Sequence, residues 1–182
     1  MDIKPVKIIS INNNDKGCRL IFHDEVFDKI VSNIDPLYYV SIITINGAYR
    51  SGKSFILNFI AKKFYNIEYD TYKFIHGQFL GTTGMWMLNK PIIMNNMAVL
   101  LIDTQGLFDS QLNIETTTTL FGLSTLISSI QIYNIDKRIQ EDNLQHLALF
   151  SEYAKIVSKN NKKPFQHLNF LVRDWQHFDD IN

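Results

Sequence analysis

Two kinds of apolar pattern alternate along this chain. Runs rich in β-branched and aromatic residues are typical of strands, and they read VKIISI, CRLIF, LYYVSIITI, KPIIM, MAVLLID and HLNFLV. Stretches with apolar residues on one helical face lie among them, and they read HDEVFDKIVSNID, KSFILNFIAKKFY, IETTTTLFGLSTLISSIQIYN and IQEDNLQHLALFSEYAKIVSK. This alternation, without internal repeats, predicts one three-layer α/β domain with helices on both faces of a mixed, mostly parallel sheet.

Three stretches need separate interpretation. Asn-rich turns join the first two β-prone runs, and also KPIIM to MAVLLID, so both pairs are expected to be hairpins and the sheet to be partly antiparallel. Residues 66–89 have no firm period and contain HGQFLGTTG, which predicts a mobile loop region. The third stretch is predicted to be one helix in spite of its threonine run, because its apolar residues recur at helical spacing: Leu120, Leu123, Ile127 and Ile130.

Composition narrows the class of protein. The chain has 182 residues, 46% of them hydrophobic, which suits one compact domain. Lys plus Arg equals Asp plus Glu at 18 each, so no overall basic field attracts nucleic acid or an anionic membrane. The sequence has one cysteine and no signal-peptide pattern, and its apolar runs are far shorter than the roughly 20 residues of a membrane helix. These features predict a cytoplasmic or cytosol-facing chain that does not insert into membranes. The histidines lack metal spacing, which argues against zinc.

A glycine-framed stretch, GAYRSGKS, follows the longest β-prone run. Gly47, Gly52, Lys53 and Ser54 match G-x-x-x-x-G-K-[ST] between a buried strand and a helix, which is the context of a phosphate-binding P-loop. Glycines let the backbone N–H groups turn inward toward phosphate oxygens, and the helix N-terminus adds positive potential. Lys53 would then reach the β- and γ-phosphates and the Ser54 hydroxyl would bind Mg²⁺. The alternative is a flexible turn with a solvated lysine.

Two further segments supply what a magnesium and γ-phosphate site needs. Asp103 ends the run MAVLLID, and Gly106 completes D-x-x-G, so a carboxylate and a close backbone N–H are expected at a neighbouring strand end. In GTTG, either Thr82 or Thr83 could complete the Mg²⁺ shell. The alternatives are a helix-capping aspartate and a polar surface turn.

The segment FLVRDW stands where guanine-binding P-loop proteins carry N-K-x-D. A carboxylate at Asp174 could accept hydrogen bonds from guanine N1–H and its 2-amino group, whereas adenine presents an acceptor at N1. The alternative is a solvated Arg–Asp pair on the surface.

With GAYRSGKSF, TTGMW, LLIDTQGLFDSQ, LISSIQIYN, IQEDNLQHLALFSEYA and FLVRDW in this order, the chain resembles the atlastins, dynamin-related GTPases that are sister to the guanylate-binding proteins. The resemblance covers the chain from about KPVKIISI onward and implies Mg²⁺-dependent GTP binding and hydrolysis. It implies that Arg50 is an arginine finger supplied in cis, and that Thr82 rather than Thr83 is the switch threonine. The implied catalytic residues are Arg50, Lys53 and Thr82, and the implied metal ligands are Ser54, Thr82 and Asp103. The implied nucleotide-binding residues are Arg50, Ser51, Gly52, Lys53, Ser54, Phe55, Gln105, Gly106, Arg173 and Asp174.

The chain departs from the atlastin pattern at two places. The loop between Lys53 and Thr82 is shorter, and the chain stops eight residues after Asp174, where the family continues with the guanine cap, a helical middle domain, two membrane segments and an amphipathic tail. Residues 1–182 are therefore expected to be a GTPase domain truncated at its C-terminal end, without the anchor that holds family members on the endoplasmic reticulum. The alternative function is a GTP-responsive dimerisation module, or a decoy that pairs with a full-length relative and hydrolyses little or no GTP. A third hypothesis is a decayed gene product without a stable fold.

Overall fold

A computed structural model describes residues 3–14, 17–65, 83–106, 113–157 and 166–175. In these ranges the strands are β1 (Pro5–Asn14), β2 (Gly17–Phe22), β3 (Tyr39–Gly47), β4 (Met85–Leu88), β5 (Ile92–Met94), β6 (Met97–Thr104), β7 (Ile130–Asp136) and β8 (Leu168–Arg173). The helices are α1 (Asp24–Val31), α2 (Lys53–Tyr65), α3 (Ile114–Ile127) and α4 (Glu141–Val157). None of these helices has the length and apolar character needed to cross a bilayer.

All eight strands join one sheet. Their order is β2-β1-β4-β6-β3-β7-β8, and β5 pairs with β6 beside this path. The strands β6, β3, β7 and β8 are parallel, while the hairpin strands and β4 add antiparallel pairs. The mixed sheet and its two hairpins, β1-β2 and β5-β6, confirm the sequence prediction. Because parallel strands end at the same edge, the carboxyl ends of β3, β6, β7 and β8 all lie along one edge of the sheet.

Helices cover both faces of the sheet. On one face, α1 and α3 bury Ile30 and Leu120 against alternate residues of β6, among them Leu100 and Ile102, while α4 packs beside α3. On the other face, α2 buries apolar side chains against Leu101 and its neighbours. Successive residues of a strand point to opposite faces, so β6 serves both cores. The three-layer prediction is confirmed.

Two element predictions are wrong. The predicted helix through Ile130 ends at Ile127, and Ile130 instead begins β7. Ser128 leaves the helix with extended backbone, ψ 135°, and Ser129 N donates to Ile42 O at 2.8 Å. A single isoleucine at helical spacing fits either element, and pairing with β3 decides in favour of the strand.

The stretch 66–89, predicted to be a loop, contains β4, whose Met85, Met87 and Leu88 are almost completely buried. Four residues are too few for a period to be recognised in the sequence. Positions 66–82 lie outside the described residues.

The packing of α2 leads to a stability prediction. Leu57 is fully buried and Phe59, two residues later, is 60% exposed. Leu57→Ala is expected to lower the free energy of unfolding by about 2–5 kcal/mol, because it leaves a cavity beneath the helix. Phe59→Ala is the matched control and should change it by about 0.5 kcal/mol or less. Urea unfolding measures both, and equal losses would contradict the assigned faces of α2.

Candidate functional site

The stretch between β3 and α2 forms a tight loop at a helix N-terminus. Strand β3 ends at Gly47 and α2 begins at Lys53. Between them Arg50 and Gly52 adopt positive φ values of 57° and 79°, and Ser51 N donates to Ala48 O at 3.3 Å. The first N–H groups of a helix have no partner within the helix, so this loop offers donors to an anion.

Lys53 lies inside this loop. Its side chain is only 6% exposed, and Nζ donates to Ala48 O at 2.9 Å across the turn. A buried ammonium is favoured where oxygen atoms surround it. The loop therefore combines backbone donors with one positive charge, which is the composition that phosphate binding requires.

Ser54 and Asp103 meet at the edge of the sheet where the parallel strands end. Ser54 Oγ donates to Asp103 Oδ2 at 2.5 Å, and Asp103 is fully buried at a position of β6 that pairs with Ile45 of β3. A hydroxyl and a carboxylate are hard oxygen ligands, and Mg²⁺ in nucleotide sites is held by one or two such groups plus phosphates and waters. The donor set fits magnesium. Among the described residues, no cluster of three or more His, Cys, Asp or Glu side chains offers another metal site.

Gly106 brings the segment after Asp103 against residues 47–54, the stretch that the sequence predicts to be a phosphate loop. A Cβ atom at Gly106 would lie 2.5 Å from Tyr49 Cα, so only glycine allows the two backbones to touch here. Arg50, the next residue of the loop, is exposed, and its guanidinium carbon lies 5.3 Å from the Tyr49 ring centroid. The D-x-x-G segment therefore contacts the loop at the residue that precedes its arginine.

Gln105 is directed toward the segment that follows Thr82. It is 3% exposed, its Oε1 accepts from Gly84 N at 2.8 Å, and its N donates to Gly84 O at 2.8 Å. Gly84 has φ 74°, and an added Cβ would clash with Ile9 O. Gln105 thus extends the pairing of β4 and β6 by one residue.

The neighbouring Thr83 has contacts of its own. Thr83 Oγ1 accepts from Lys7 Nζ at 3.0 Å, and Thr83 O accepts from Trp86 Nε1 at 2.8 Å. Lys7 Nζ also lies 4.8 Å from the Trp86 ring centroid, within range of a cation–π contact. Strand β1 therefore helps to fix the end of GTTG. Thr82 lies outside the described residues.

The end of β8 also lies next to the phosphate loop. Arg173 Nε donates to Asn134 Oδ1 at 2.9 Å, and a Cβ atom on Gly52 would lie 3.3 Å from Arg173 Nη1. Asp174 follows with φ 53° and is exposed. The glycine-framed loop, the Ser54–Asp103 contact and the Arg-Asp pair therefore lie along one edge of the sheet.

A family model described as the N-terminal domain of guanylate-binding protein matches residues 19–180 of this chain. The chain belongs to that family. It is 37% identical to Atlastin from Drosophila melanogaster over 90% of its own length, 38% identical to Atlastin-2 from Homo sapiens over 95%, and 42% identical to Atlastin-1 from Bos taurus over 75%. It covers 32%, 32% and 27% of those three proteins, about a third of their length.

In this member of the guanylate-binding protein family, the three sequence motifs follow the carboxyl ends of β3, β6 and β8 along one edge of the sheet. Their residues differ in exposure and direction. Phe55 points outward and is 65% exposed, and Gln105 is turned toward Gly84. Sequence reasoning did not identify Asn134 or Lys7. The sequence does not distinguish these two residues, because an asparagine in a strand and a lysine near the N-terminus occur in many structural settings.

A polar cavity of about 600 Å³ also lies beside the phosphate loop of this family member. Its lining includes Ala48, Ser51, Tyr133, Asn134, Lys137 and Arg138. Burial raises the pKa of Tyr133 to about 12, with a smaller contribution from the negative charge of Asp142. The phenol therefore keeps its proton further into the alkaline range than an exposed tyrosine does.

The Gln105 contact gives a prediction about amide exchange. Gln105→Leu removes the acceptor for Gly84 N, and exchange of that amide is expected to rise by about tenfold, the effect of one net hydrogen bond. Gln105→Glu keeps an acceptor oxygen and should retain the protection. Hydrogen exchange followed by NMR or mass spectrometry measures this. Equal exchange in all three proteins would contradict a role of the side chain in fixing Gly84.

Proposed function

We propose that this chain is a Mg²⁺-dependent GTP-binding and GTP-hydrolysing domain. The observation that carries the proposal is the contact of Ser54 Oγ with Asp103 Oδ2 at 2.5 Å, beside the buried ammonium of Lys53. Ser54, Asp103 and Thr82 are the residues that would hold the ion. When bound, Mg²⁺ would neutralise negative charge on the phosphates.

The residues of the loop have separate tasks in this proposal. Backbone N–H groups at the start of α2 donate to the phosphates, and Lys53 gives up its contact with Ala48 O to bind the β- and γ-oxygens. Arg50 is exposed, and its charge neutralises the negative charge that develops on the transferring phosphoryl group while a water attacks in line. Catalysis then consists of positioning and electrostatics, since no covalent intermediate is needed.

Guanine is the base that the Arg173-Asp174 pair fits. The two side-chain oxygens of Asp174 can accept two hydrogen bonds from the guanine edge, whereas adenine would place an acceptor against them. A site that is built to pair polar groups rejects a base that leaves them unpaired. Asp174 follows the last residue of β8 with a positive φ of 53° and is exposed, so a base can reach it.

Phosphate release from GTP tests the proposed activity. With Mg²⁺ present, the wild-type protein is expected to release phosphate above the rate without protein, and chelation of Mg²⁺ should abolish the excess. Asp103→Asn should lose the activity as well, because it removes the charge that holds the ion. If the wild-type rate equals the rate without protein, hydrolysis is not the function of this chain.

A second candidate is the GTP-responsive module that pairs with another copy or with a longer relative and hydrolyses little GTP. The observation that favours it is the outer side of α2 directly after the phosphate loop, where Phe55 and Phe59 are 65% and 60% exposed. Exposed aromatic pairs suit association. Light scattering with GDP and with a non-hydrolysable GTP analogue tests it. A mass that never changes with nucleotide would exclude the module.

A further inference from the structure

Asn134 connects the phosphate loop to the end of β8 that carries the Arg-Asp pair. Its Nδ2 donates to Ser51 O at 2.8 Å and to Ser51 Oγ at 3.0 Å, while its Oδ1 accepts from Arg173 Nε at 2.9 Å. The residue is 2% exposed. One buried amide therefore uses its donor on the loop and its acceptor on the arginine.

The strand order explains how one side chain reaches both. Strand β7 lies between β3 and β8, and in the parallel register Asn134 pairs with Gly47 on one side and with Leu171 on the other. It therefore stands level with the first residue of the phosphate loop and two residues before Arg173. Parallel pairing fixes the position of Asn134 along β7, and its side-chain amide then contacts Ser51 on one side and Arg173 on the other.

Arg173 would be poorly defined without such a partner. An arginine side chain has several rotatable bonds and five donors, so it must be held to act selectively. The Nε bond to Asn134 leaves the terminal guanidinium over Gly52, and Arg173 O accepts from Lys137 N at 2.7 Å. Side chain and backbone of Arg173 are thus fixed separately, and Asp174 follows directly.

We propose that Asn134 is a positioning residue for base selection: it holds Arg173, and through it the guanine-reading end of β8, in register with the phosphate loop at Ser51. This inference rests on the proposed function and adds a residue to it. Discrimination between guanine and adenine depends on polar groups kept in fixed positions, since a group that can turn away avoids the penalty of an unpaired contact.

A merely structural role gives a different result. If Asn134 only stabilises the fold, its loss weakens GTP and ATP binding by the same factor. If it positions Arg173, its loss weakens GTP binding more than ATP binding. The ratio of the two dissociation constants separates these cases, and it is insensitive to the fraction of protein that is folded.

The experiment compares Mg²⁺-dependent binding of labelled GTP and labelled ATP to the wild type and three variants. Asn134→Leu removes both contacts, and we expect the ATP to GTP ratio of dissociation constants to fall by about tenfold, the effect of one hydrogen bond to a charged group. Asn134→Asp keeps an acceptor for Arg173 but repels Ser51 O. It should therefore weaken both nucleotides by a similar factor and keep the ratio.

Gln131→Leu is the matched control. Gln131 is a buried amide of the same strand, 1% exposed, and it bonds Thr125 and Ser124 of α3 rather than the phosphate loop. Its loss should keep the ratio. If Asn134→Leu does not unfold cooperatively, Asn134→Ser replaces it with the same expectation, because a serine hydroxyl is too short to reach Arg173.

The outcomes are distinguishable. A wild-type protein that prefers GTP, with an unchanged ratio in Asn134→Leu or in the Asn134→Ser variant that replaces it, overturns the role of Asn134 and leaves the proposed function standing. A wild-type protein that binds GTP and ATP equally overturns the guanine assignment itself, and the inference fails with it. A ratio that falls equally in Gln131→Leu also overturns the inference.

Discussion

Arg50→Ala is expected to lower the turnover of GTP by about 10³- to 10⁵-fold while GTP binding changes little. The side chain is exposed, has a loop backbone with φ 57° and contacts the Tyr49 ring, so its removal disturbs little of the fold. Its charge is needed only when negative charge develops on the phosphoryl group. A contact made only in the transition state lowers kcat and leaves KM nearly unchanged.

Single-turnover and steady-state phosphate release measure this effect. Arg19→Ala is the control, because Arg19 is an exposed arginine of β2, the strand at the opposite edge of the sheet from β8. Its turnover should equal that of the wild type. A loss in Arg50→Ala that appears entirely in KM would contradict an arginine finger at this position and would make Arg50 a binding residue.

Lys53→Met is expected to weaken GTP binding by about 10²- to 10⁴-fold, because it removes charge-assisted contacts to two phosphates worth about 1.5–3 kcal/mol each. Methionine keeps most of the stem that is buried in the loop, so the fold should persist. Lys63→Met, an exposed lysine of the same helix, is the control and should bind as the wild type does. Fluorescence titration with a labelled nucleotide measures both.

A thermal melt of Lys53→Met completes this test. The variant should unfold cooperatively without nucleotide, and added GTP should raise its melting temperature less than that of the wild type. Equal affinity in Lys53→Met and the wild type would mean that the loop does not bind phosphate.

The parts of the site that were predicted from sequence are those written in contiguous motifs. Gly47, Lys53 and Ser54 lie within eight residues, and Asp103 ends an apolar run that was recognisable as a strand. The glycine-framed motif predicted the strand, loop and helix around it, and the apolar run before Asp103 predicted that this carboxylate lies at a strand end. The parallel pairing of β3 with β6 then brought Ser54 and Asp103 together, as the chemistry required.

The rest depends on contacts between distant parts of the chain. Asn134 lies 83 residues from Ser51, and Lys7 lies 76 residues from Thr83. No local period marks either of them, because their partners are set by strand order and register. The same applies to Ile130, where pairing with β3 overrode a helical spacing that continued from Ile127.

The decisive measurement is the magnesium dependence of GTP binding, because Ser54 and Asp103 are proposed to hold one ion beside a bound triphosphate. GTP would be titrated into the wild type and Asp103→Asn, with Mg²⁺ and with a chelator. We expect Mg²⁺ to strengthen binding to the wild type, and we expect Asp103→Asn to lose this gain while it still binds weakly through the loop. Binding to the wild type that is equally tight with and without Mg²⁺ would contradict the proposed magnesium site.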